Sequence, residues 1–231
     1  MYYFLKKLFS GKFKKVSYSI SGVDLVIDHI FRNKKNGFYV DIGCNHPVKF
    51  NNTYLLHKRG WSGINIDFDK TSIKFFNKFR PKDFNVRTIV SDKEEDKTIY
   101  FYHARSTINT IEKNVVDSRS TKPTKVIIER SQTLNSIIEN SPLKDKKINF
   151  MSVDVEGHEY EIIKNFNFEK YYPDFIVLEC HNLNLKKLEL YNQSLDFITN
   201  HKTYKFLIEK KYKLVNWLHA DLIFVRENFS V

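Results

Sequence analysis

Acidic side chains stand at the carboxyl ends of several predicted strands. These positions are Asp41, Asp67, Asp154, Glu179 and the pair Ser91-Asp92. Because the carboxyl ends of parallel strands meet at one edge of a sheet, these side chains are predicted to line one cleft. A single acid at a strand end is often only a capping group. Several on one rim indicate a polar site that could hold a ribose, an amine or a cation.

The run after one predicted strand is especially rich in ionisable groups. Asp154 and Glu156 stand two residues apart, His158 opens the next helix, and Glu179 and His181 end the following strand. Carboxylates with imidazoles can hold Mg²⁺ or Mn²⁺, and either group can act as a general base. Structural roles stay open too, since Glu156 and His158 could each satisfy a helix end.

The turn after the first predicted strand has the features of a nucleoside site. Gly43 lets the backbone approach a ligand because it has no Cβ, and Asp41 can accept hydrogen bonds. Asp67, after the second strand, is where such domains place an acid for the ribose hydroxyls. The turn lacks the second and third glycines of a dinucleotide fingerprint. That absence counts against a dehydrogenase and favours S-adenosylmethionine.

Helices and strands alternate along the chain and must position these residues. Apolar residues at helical spacing predict helices over residues 23–31, 52–58, 71–79, 131–138, 159–165 and 185–199. Short runs of apolar, often β-branched or aromatic, residues predict strands over 38–42, 63–66, 85–90, 98–103, 148–153, 174–178, 204–209 and 221–226. Residues 104–124 are predicted as a long loop or lid. The alternation predicts an α/β domain with a doubly wound, mostly parallel sheet.

The chain carries a large excess of positive charge. Its 231 residues include 38 Lys and Arg against 27 Asp and Glu, which gives a net charge of +11. This charge favours an anionic partner, such as nucleic acid, anionic lipid or a phosphorylated substrate. Hydrophobic residues make up 42% of the sequence, which excludes a disordered chain. No apolar run is long enough to cross a bilayer.

The N-terminal residues are basic and aromatic. Residues 1–36 are predicted as a helical extension packed on the core. Within them, residues 2–16 are interpreted as a docking helix or frayed end in preference to a weak membrane-surface anchor, so at most peripheral membrane contact is expected. No signal peptide is expected. The two cysteines, Cys44 and Cys180, lie far apart and outside any CxxC motif, which predicts a reducing, cytoplasmic setting.

Two long motifs give the chain a resemblance to a known family. The first comprises VDIGCNHP at residues 40–47, NTY at 52–54 and RGWSGINID at 59–67, and the second is SVDVEGHE at 152–159. Shorter pieces at 90–92 and 176–179 fall in similar places. Together they resemble the FkbM family of methyltransferases over most of the sequence.

The resemblance implies a fold and a cofactor. The family has the class I methyltransferase fold, a Rossmann-like, doubly wound sheet that is mostly parallel with one antiparallel strand, here expected near the C-terminus. It implies that residues 37–231 form the methyltransferase domain and bind S-adenosylmethionine. The cofactor-binding residues that it implies are Asp41 and Gly43 near the methionine part, Asp67 at the ribose, and Ser91 and Asp92 near the adenine, together with Asn45.

Many family members methylate sugar hydroxyls, so the resemblance also implies O-methyl transfer to a sugar. The acceptor hydroxyl must lose its proton to a base or be bound by a metal ion that lowers its pKa. The predicted catalytic residues are Asp154, His158 and His181. The predicted ligands of Mg²⁺ or Mn²⁺ are Asp154, Glu179 and His181.

The acceptor is expected to be anionic, such as a nucleotide-linked sugar or a phosphorylated glycan. This expectation depends on the basic excess, including Lys58, Arg59 and Arg105 near the predicted rim. His46, Arg105 and Glu156 are the predicted acceptor contacts. For His46, beside Pro47, a turn role is equally open.

Two other classes of function stay open. The positive charge is compatible with a nucleic-acid methyltransferase. Against it, the basic residues are scattered, and the sequence lacks the Asn/Asp-Pro-Pro-aromatic tetrapeptide of enzymes that methylate base amino groups. No nucleic-acid partner is therefore expected. A binding module that kept only the fold is the other class, and the acid-rich second motif argues against it.

Overall fold

Ten strands form two sheets in the part of the chain that the computed structural model describes, residues 15–180 and 194–230. The strands are β1 (Phe38–Ile42), β2 (Ser62–Asp67), β3 (Phe84–Arg87), β4 (Ile89–Ser91), β5 (Asp96–Phe101), β6 (Lys125–Thr133), β7 (Phe150–Val153), β8 (Phe175–Glu179), β9 (Tyr212–Leu218) and β10 (Asp221–Arg226). The larger sheet has seven strands in the order β3-β2-β1-β7-β8-β10-β9.

The seven-stranded sheet is mostly parallel. Strands β3, β2, β1, β7 and β8 pair with one another in parallel. Strand β10 pairs antiparallel with both β8 and β9, so it alone among these seven runs against the others. The predicted class I methyltransferase architecture, with one antiparallel strand near the C-terminus, is confirmed.

The helices on the described residues are α1 (Val23–Ile30), α2 (Tyr54–Lys58), α3 (Lys70–Phe79), α4 (Lys113–Ser118), α5 (Leu134–Glu139), α6 (Glu159–Lys164), α7 (Phe168–Tyr171), α8 (Leu195–Asn200) and α9 (Lys202–Glu209). None of them is long and apolar enough to cross a membrane.

Strand β1 lies at the centre of the core and is buried along its whole length. Successive side chains of a strand point to opposite faces. Val40 accordingly packs in one apolar cluster and Tyr39 in another. Val23 and Ile27 of α1 join the Tyr39 cluster, as their spacing of four residues predicts for one helix face. Helix α1 therefore covers one face of the sheet.

A second, three-stranded sheet in the order β4-β6-β5 was not predicted. The predicted strand over 85–90 is in fact two strands, because Thr88 separates β3 of the large sheet from β4 of the small one. The helix predicted over 131–138 begins late, since residues 125–133 form β6. The side chain of Thr133 ends this strand and caps α5, accepting a hydrogen bond from the amide of Ser136 at 3.1 Å.

Two further predictions of elements were wrong. Residues 204–209 lie in helix α9, not in a strand. The ring of His201 accepts a hydrogen bond from the amide of Thr203, and the buried Thr203 and Leu207 share one face at helical spacing. The closing strand partner is β9. The predicted loop over 104–124 contains α4, and the described part of the predicted helix over 185–199 belongs to α8.

Candidate functional site

A cavity of about 300 Å³ opens at the carboxyl ends of β1, β2, β7 and β8. This volume is within the range of small-molecule sites. The predicted site residues that line it are Gly43, Asn45, Asp67, Arg105, Asp154, Glu156, His158 and Glu179. Asp41, His46, Ser91 and Asp92 do not line it. His181 lies outside the described residues.

Gly43 ends β1 where two strands converge. Its φ of +77° lies in the left-handed region, and a Cβ built there would stand 1.7 Å from the carbonyl oxygen of Asp154. The amides of Gly43 and Cys44 both donate to the carbonyl of Ile66, at 2.9 and 3.2 Å. A glycine is therefore needed for the close approach of β1, β2 and β7, besides any approach of a ligand.

Asp67 stands at the end of β2 with its carboxylate oriented by two backbone amides. The amide of Asn45 donates to Oδ2 at 2.8 Å, and that of Asp69 donates to Oδ1 at 2.7 Å. Lone pairs remain for a ligand, because a carboxylate can accept about four hydrogen bonds. Burial raises the pKa of Asp67 to about 7, although both amides lower it.

Asp41 holds the loop that follows β1. Thr53 Oγ1 and Asn51 Nδ2 donate to its carboxylate at 2.7 and 3.0 Å. The fully buried Arg80 donates to Thr53 Oγ1 and Asn51 Oδ1, both at 2.8 Å, and to the carbonyl of Pro47. These contacts of Asp41 thus stabilise the loop of residues 44–53.

Three carboxylates converge at the ends of β7 and β8. Oxygens of Asp154, Glu156 and Glu179 lie within 4.8 Å of one another. Burial, and then Glu156, raise the pKa of Asp154, whereas its interaction with Glu179 lowers it. Burial, and then Asp154, raise the pKa of Glu179. Burial also raises the pKa of Glu156 to about 7.

His158 lines the cavity, but both of its ring nitrogens have partners. Nε2 lies 3.0 Å from Ser91 Oγ, and Nδ1 lies 2.5 Å from Glu112 Oε1. Ser91 is only 1% exposed, so it faces the imidazole inside the protein. Asp92 pairs with Lys164 at 2.9 Å. His158 therefore joins β4 to residues 104–124.

Residues 104–124, which we call the lid, are held at the cavity by hydrogen bonds and an ion pair. Thr110 Oγ1 donates to the carbonyl of Glu156 at 3.0 Å, and Arg119 forms an ion pair with the Glu156 carboxylate at 2.5 Å. At the other end, the amide of Arg105 donates to Asp69 Oδ2 at 2.6 Å. The structure thus shows an ordered lid that contacts both the Asp67 end and the acidic end of the cavity.

His46 has the turn role that the sequence left open. Its Nδ1 accepts hydrogen bonds from the amides of Val48 and Lys49, both at 3.0 Å. Its ring lies 6.0 Å from that of Phe75, over which the Arg105 guanidinium sits at 4.7 Å. Burial, and then Arg105, lower the pKa of His46.

His219 is a cavity residue that the sequence reasoning missed. It lies in the turn between β9 and β10 with a φ of +57°, and its carbonyl accepts a hydrogen bond from Trp217 Nε1 at 2.6 Å. The sequence did not predict β9, so the turn that carries His219 could not be located from the sequence. Asp69 and Glu112 were also missed, because their partners are distant in sequence.

Comparison with known families shows which family the chain belongs to. A family model described as "Methyltransferase FkbM domain" matches residues 41–208, well over half of the chain. The chain belongs to the FkbM methyltransferase family. Comparisons with curated proteins and with solved structures give no significant match. Membership implies S-adenosylmethionine as the methyl donor.

The FkbM domain has residues at this cavity that fit the cofactor. Asp67 presents a buried carboxylate with free acceptor capacity at the end of β2, where this fold holds a ribose. Ile66, Phe68 and Ile89 add apolar lining beside it. We expect Asp67, Asn45 and this apolar lining to contact the nucleoside.

We predict that Asp67→Ala weakens the binding of S-adenosylhomocysteine by about 1–3 kcal/mol, the scale for losing hydrogen bonds to a buried partner. The affinity of the wild type should also fall as the pH is lowered from 8 to 6. The pKa of Asp67 is about 7, so the carboxylate that accepts from the ribose becomes protonated over this range. The ionised fraction falls about tenfold, and the affinity should fall by no more than that. Calorimetry across this range measures both effects.

Asp67→Asn is the control for the pH dependence. It keeps the shape of the side chain but cannot titrate, so its affinity should be nearly constant with pH. An unchanged affinity in Asp67→Ala would remove Asp67 from the cofactor site.

Proposed function

We propose that this FkbM domain transfers a methyl group from S-adenosylmethionine to a sugar hydroxyl of a nucleotide-linked sugar or phosphorylated glycan. One observation carries the proposal: the same cavity has the ribose-type acid Asp67 at one end and the cluster of Asp154, Glu156 and Glu179 at the other. Carboxylates can bind several hydroxyls of a sugar at once. The lid closes the cavity between these ends.

The cofactor supplies a methyl group already activated by a sulfonium, so the protein's main task is to align the acceptor. The C–O bond forms as the C–S bond breaks, and the hydroxyl proton passes to a base of the chain. Asp154 is the proposed base, because its carboxyl lines the cavity and burial raises its pKa, which favours taking up a proton. His158, held by Ser91 and Glu112, is placed to orient the lid, and His181 keeps its proposed catalytic role.

A divalent cation fits the acidic end. Asp154, Glu156 and Glu179 provide oxygen ligands, as Mg²⁺ and Mn²⁺ prefer, and a cation would offset the repulsion among these carboxylates. Bound there, a metal ion would lower the pKa of the acceptor hydroxyl. His181 is a further proposed ligand from outside the described residues.

The proposed anionic acceptor and the proposed cation depend on each other. The cavity is lined by five carboxylates, those of Asp67, Asp69, Asp154, Glu156 and Glu179, and Arg105 is the one Lys or Arg among its described lining residues. A phosphate would be repelled by these carboxylates unless a cation or the basic rim offset them.

The proposal also includes a cytoplasmic location for the reaction. The free thiols of Cys44 and Cys180 agree with this.

We predict that nucleotide-linked sugars are methylated more efficiently than the same sugars free, and only with Mg²⁺ or Mn²⁺ present. The measurement is transfer of a labelled methyl group to matched pairs of free and nucleotide-linked sugars, with and without each metal. Equal kcat/KM for the neutral and the nucleotide-linked form would contradict the anionic acceptor. Transfer to nucleic acid, tested in parallel, would contradict the sugar.

A further inference from the structure

An apolar and basic patch surrounds the opening of the cavity. Ile20 and Phe50 line the cavity, yet are 68% and 61% exposed, so their side chains stand at its edge. Val16, 53% exposed, is close by in sequence, and Lys15 and Lys49 are exposed beside them. We call Lys15, Val16, Ile20, Lys49 and Phe50 the mouth patch.

The mouth patch is held on a fixed backbone. The amide of Asn51 donates to the carbonyl of Tyr18 at 3.0 Å, which joins the two segments of the patch. The buried Asp24 accepts from Ser17 Oγ and from the amide of Tyr18, both at 2.6 Å. Phe50 is displayed with a φ of +50°, a conformation that costs free energy for a bulky residue.

Within residues 15–52, which contain the patch, the exposed charged residues are all basic. Among residues 15–52 the carboxylates are Asp24, Asp28 and Asp41. Asp24 and Asp41 are buried, and Asp28 pairs with Arg59 at 3.0 Å. The preceding residues 1–14 add four lysines and no acid to the sequence. The patch therefore combines apolar side chains with lysines, in a segment that has no exposed carboxylate.

We propose that the mouth patch docks on an anionic membrane surface. Lysines gain free energy near anionic headgroups, while adjacent apolar side chains enter the interface. A second copy of the chain is a poorer partner, because it would bring cations against cations. The cavity would then open toward the bilayer. Uptake of acceptors from the membrane surface rests on the proposed function, whereas docking itself does not.

The test is co-sedimentation of the full chain with vesicles of phosphatidylcholine, alone or mixed with phosphatidylglycerol. Wild type should bind the mixed vesicles and be released by salt. The double variant Ile20→Ser/Phe50→Asn should reduce the partition coefficient by about tenfold or more, since each apolar side chain withdrawn from water contributes about that factor. Asparagine is chosen at residue 50 because it tolerates a positive φ.

A matched control exists on the small sheet. Val126 and Ile128 are 54% and 69% exposed and are not among the residues that line the cavity, so Val126→Ser/Ile128→Asn should bind as the wild type does. The proposal would be overturned if the wild type did not bind the mixed vesicles. It would also be overturned if the mouth variant bound as well as the wild type, or if the control variant lost as much binding as the mouth variant. Light scattering that shows a dimer abolished by the mouth variant would assign the patch to a second copy. Failed methyl transfer with normal docking would count only against the proposed function.

Discussion

Gly43→Ala is expected to lower the free energy of unfolding by about 2–5 kcal/mol and to abolish cofactor binding. Two costs add. The left-handed backbone at φ +77° costs a residue with a Cβ about 1–2 kcal/mol. The collision of that Cβ with the Asp154 carbonyl, at 1.7 Å, forces β1 and β7 apart, and overpacking of this kind costs about 1–3 kcal/mol. Chemical denaturation and calorimetry with S-adenosylhomocysteine measure the two effects.

Gly60→Ala separates the collision from the backbone strain. Gly60 has a φ of +92°, but a Cβ there meets nothing within 4 Å. This variant should lose only the strain, about 1–2 kcal/mol, and should keep its cofactor affinity. Equal destabilisation in the two variants would show that the contact between Gly43 and Asp154 is not the cause.

The central strands could be predicted because each is a short apolar run with an acid at or after its end. Strand β1 matches its prediction to the residue, and β2, β7 and β8 differ by one or two positions. Strands buried on both faces need apolar side chains throughout, so their sequence signal is strong. Helix α1 shows the same principle, since its buried residues recur at helical spacing.

The misplaced elements lie where burial is partial. Strand β6 has a mixed pattern of exposed and half-buried residues, because it forms a small sheet with little core behind it. Its run of Val126, Ile127 and Ile128 favours a strand, but the neighbouring polar residues hide the boundary. The N-terminal cap of α9 is the ring of His201, whereas the residues that usually signal a helix start are Ser, Thr, Asp and Asn.

The site was predictable where residues are close in sequence or share a strand end. Asp154, Glu156 and Glu179 were expected together, and their oxygens converge within 4.8 Å. The partners of His158 could not be predicted, because Ser91 and Glu112 reach it from β4 and the lid. No local pattern encodes such long-range contacts.

Removal of divalent cations is expected to reduce methyl transfer by about a hundredfold or more, since a metal ion stabilises the developing alkoxide by several kcal/mol. The physical reason is the convergence of Asp154, Glu156 and Glu179 in a buried cavity, where a cation offsets the repulsion between carboxylates. Exhaustive chelation followed by addition of Mg²⁺ or Mn²⁺ should abolish and then restore turnover. Full turnover in metal-free protein would contradict the metal and leave a base such as Asp154 or His181 to act alone.

Metal binding can also be tested without an acceptor. Titration calorimetry with Mn²⁺ should show binding to the wild type, and Asp154→Asn/Glu179→Gln should abolish it while keeping the affinity for S-adenosylhomocysteine. Asp67→Asn should instead weaken the binding of S-adenosylhomocysteine and keep Mn²⁺ binding, because Asp67 stands at the other end of the cavity and is not among the converging oxygens. This opposite pair of losses separates a metal site from general damage to the fold. If the double variant still bound Mn²⁺, the metal site would lie elsewhere in the protein. The role left for the acidic cluster would then be hydrogen bonding to the acceptor.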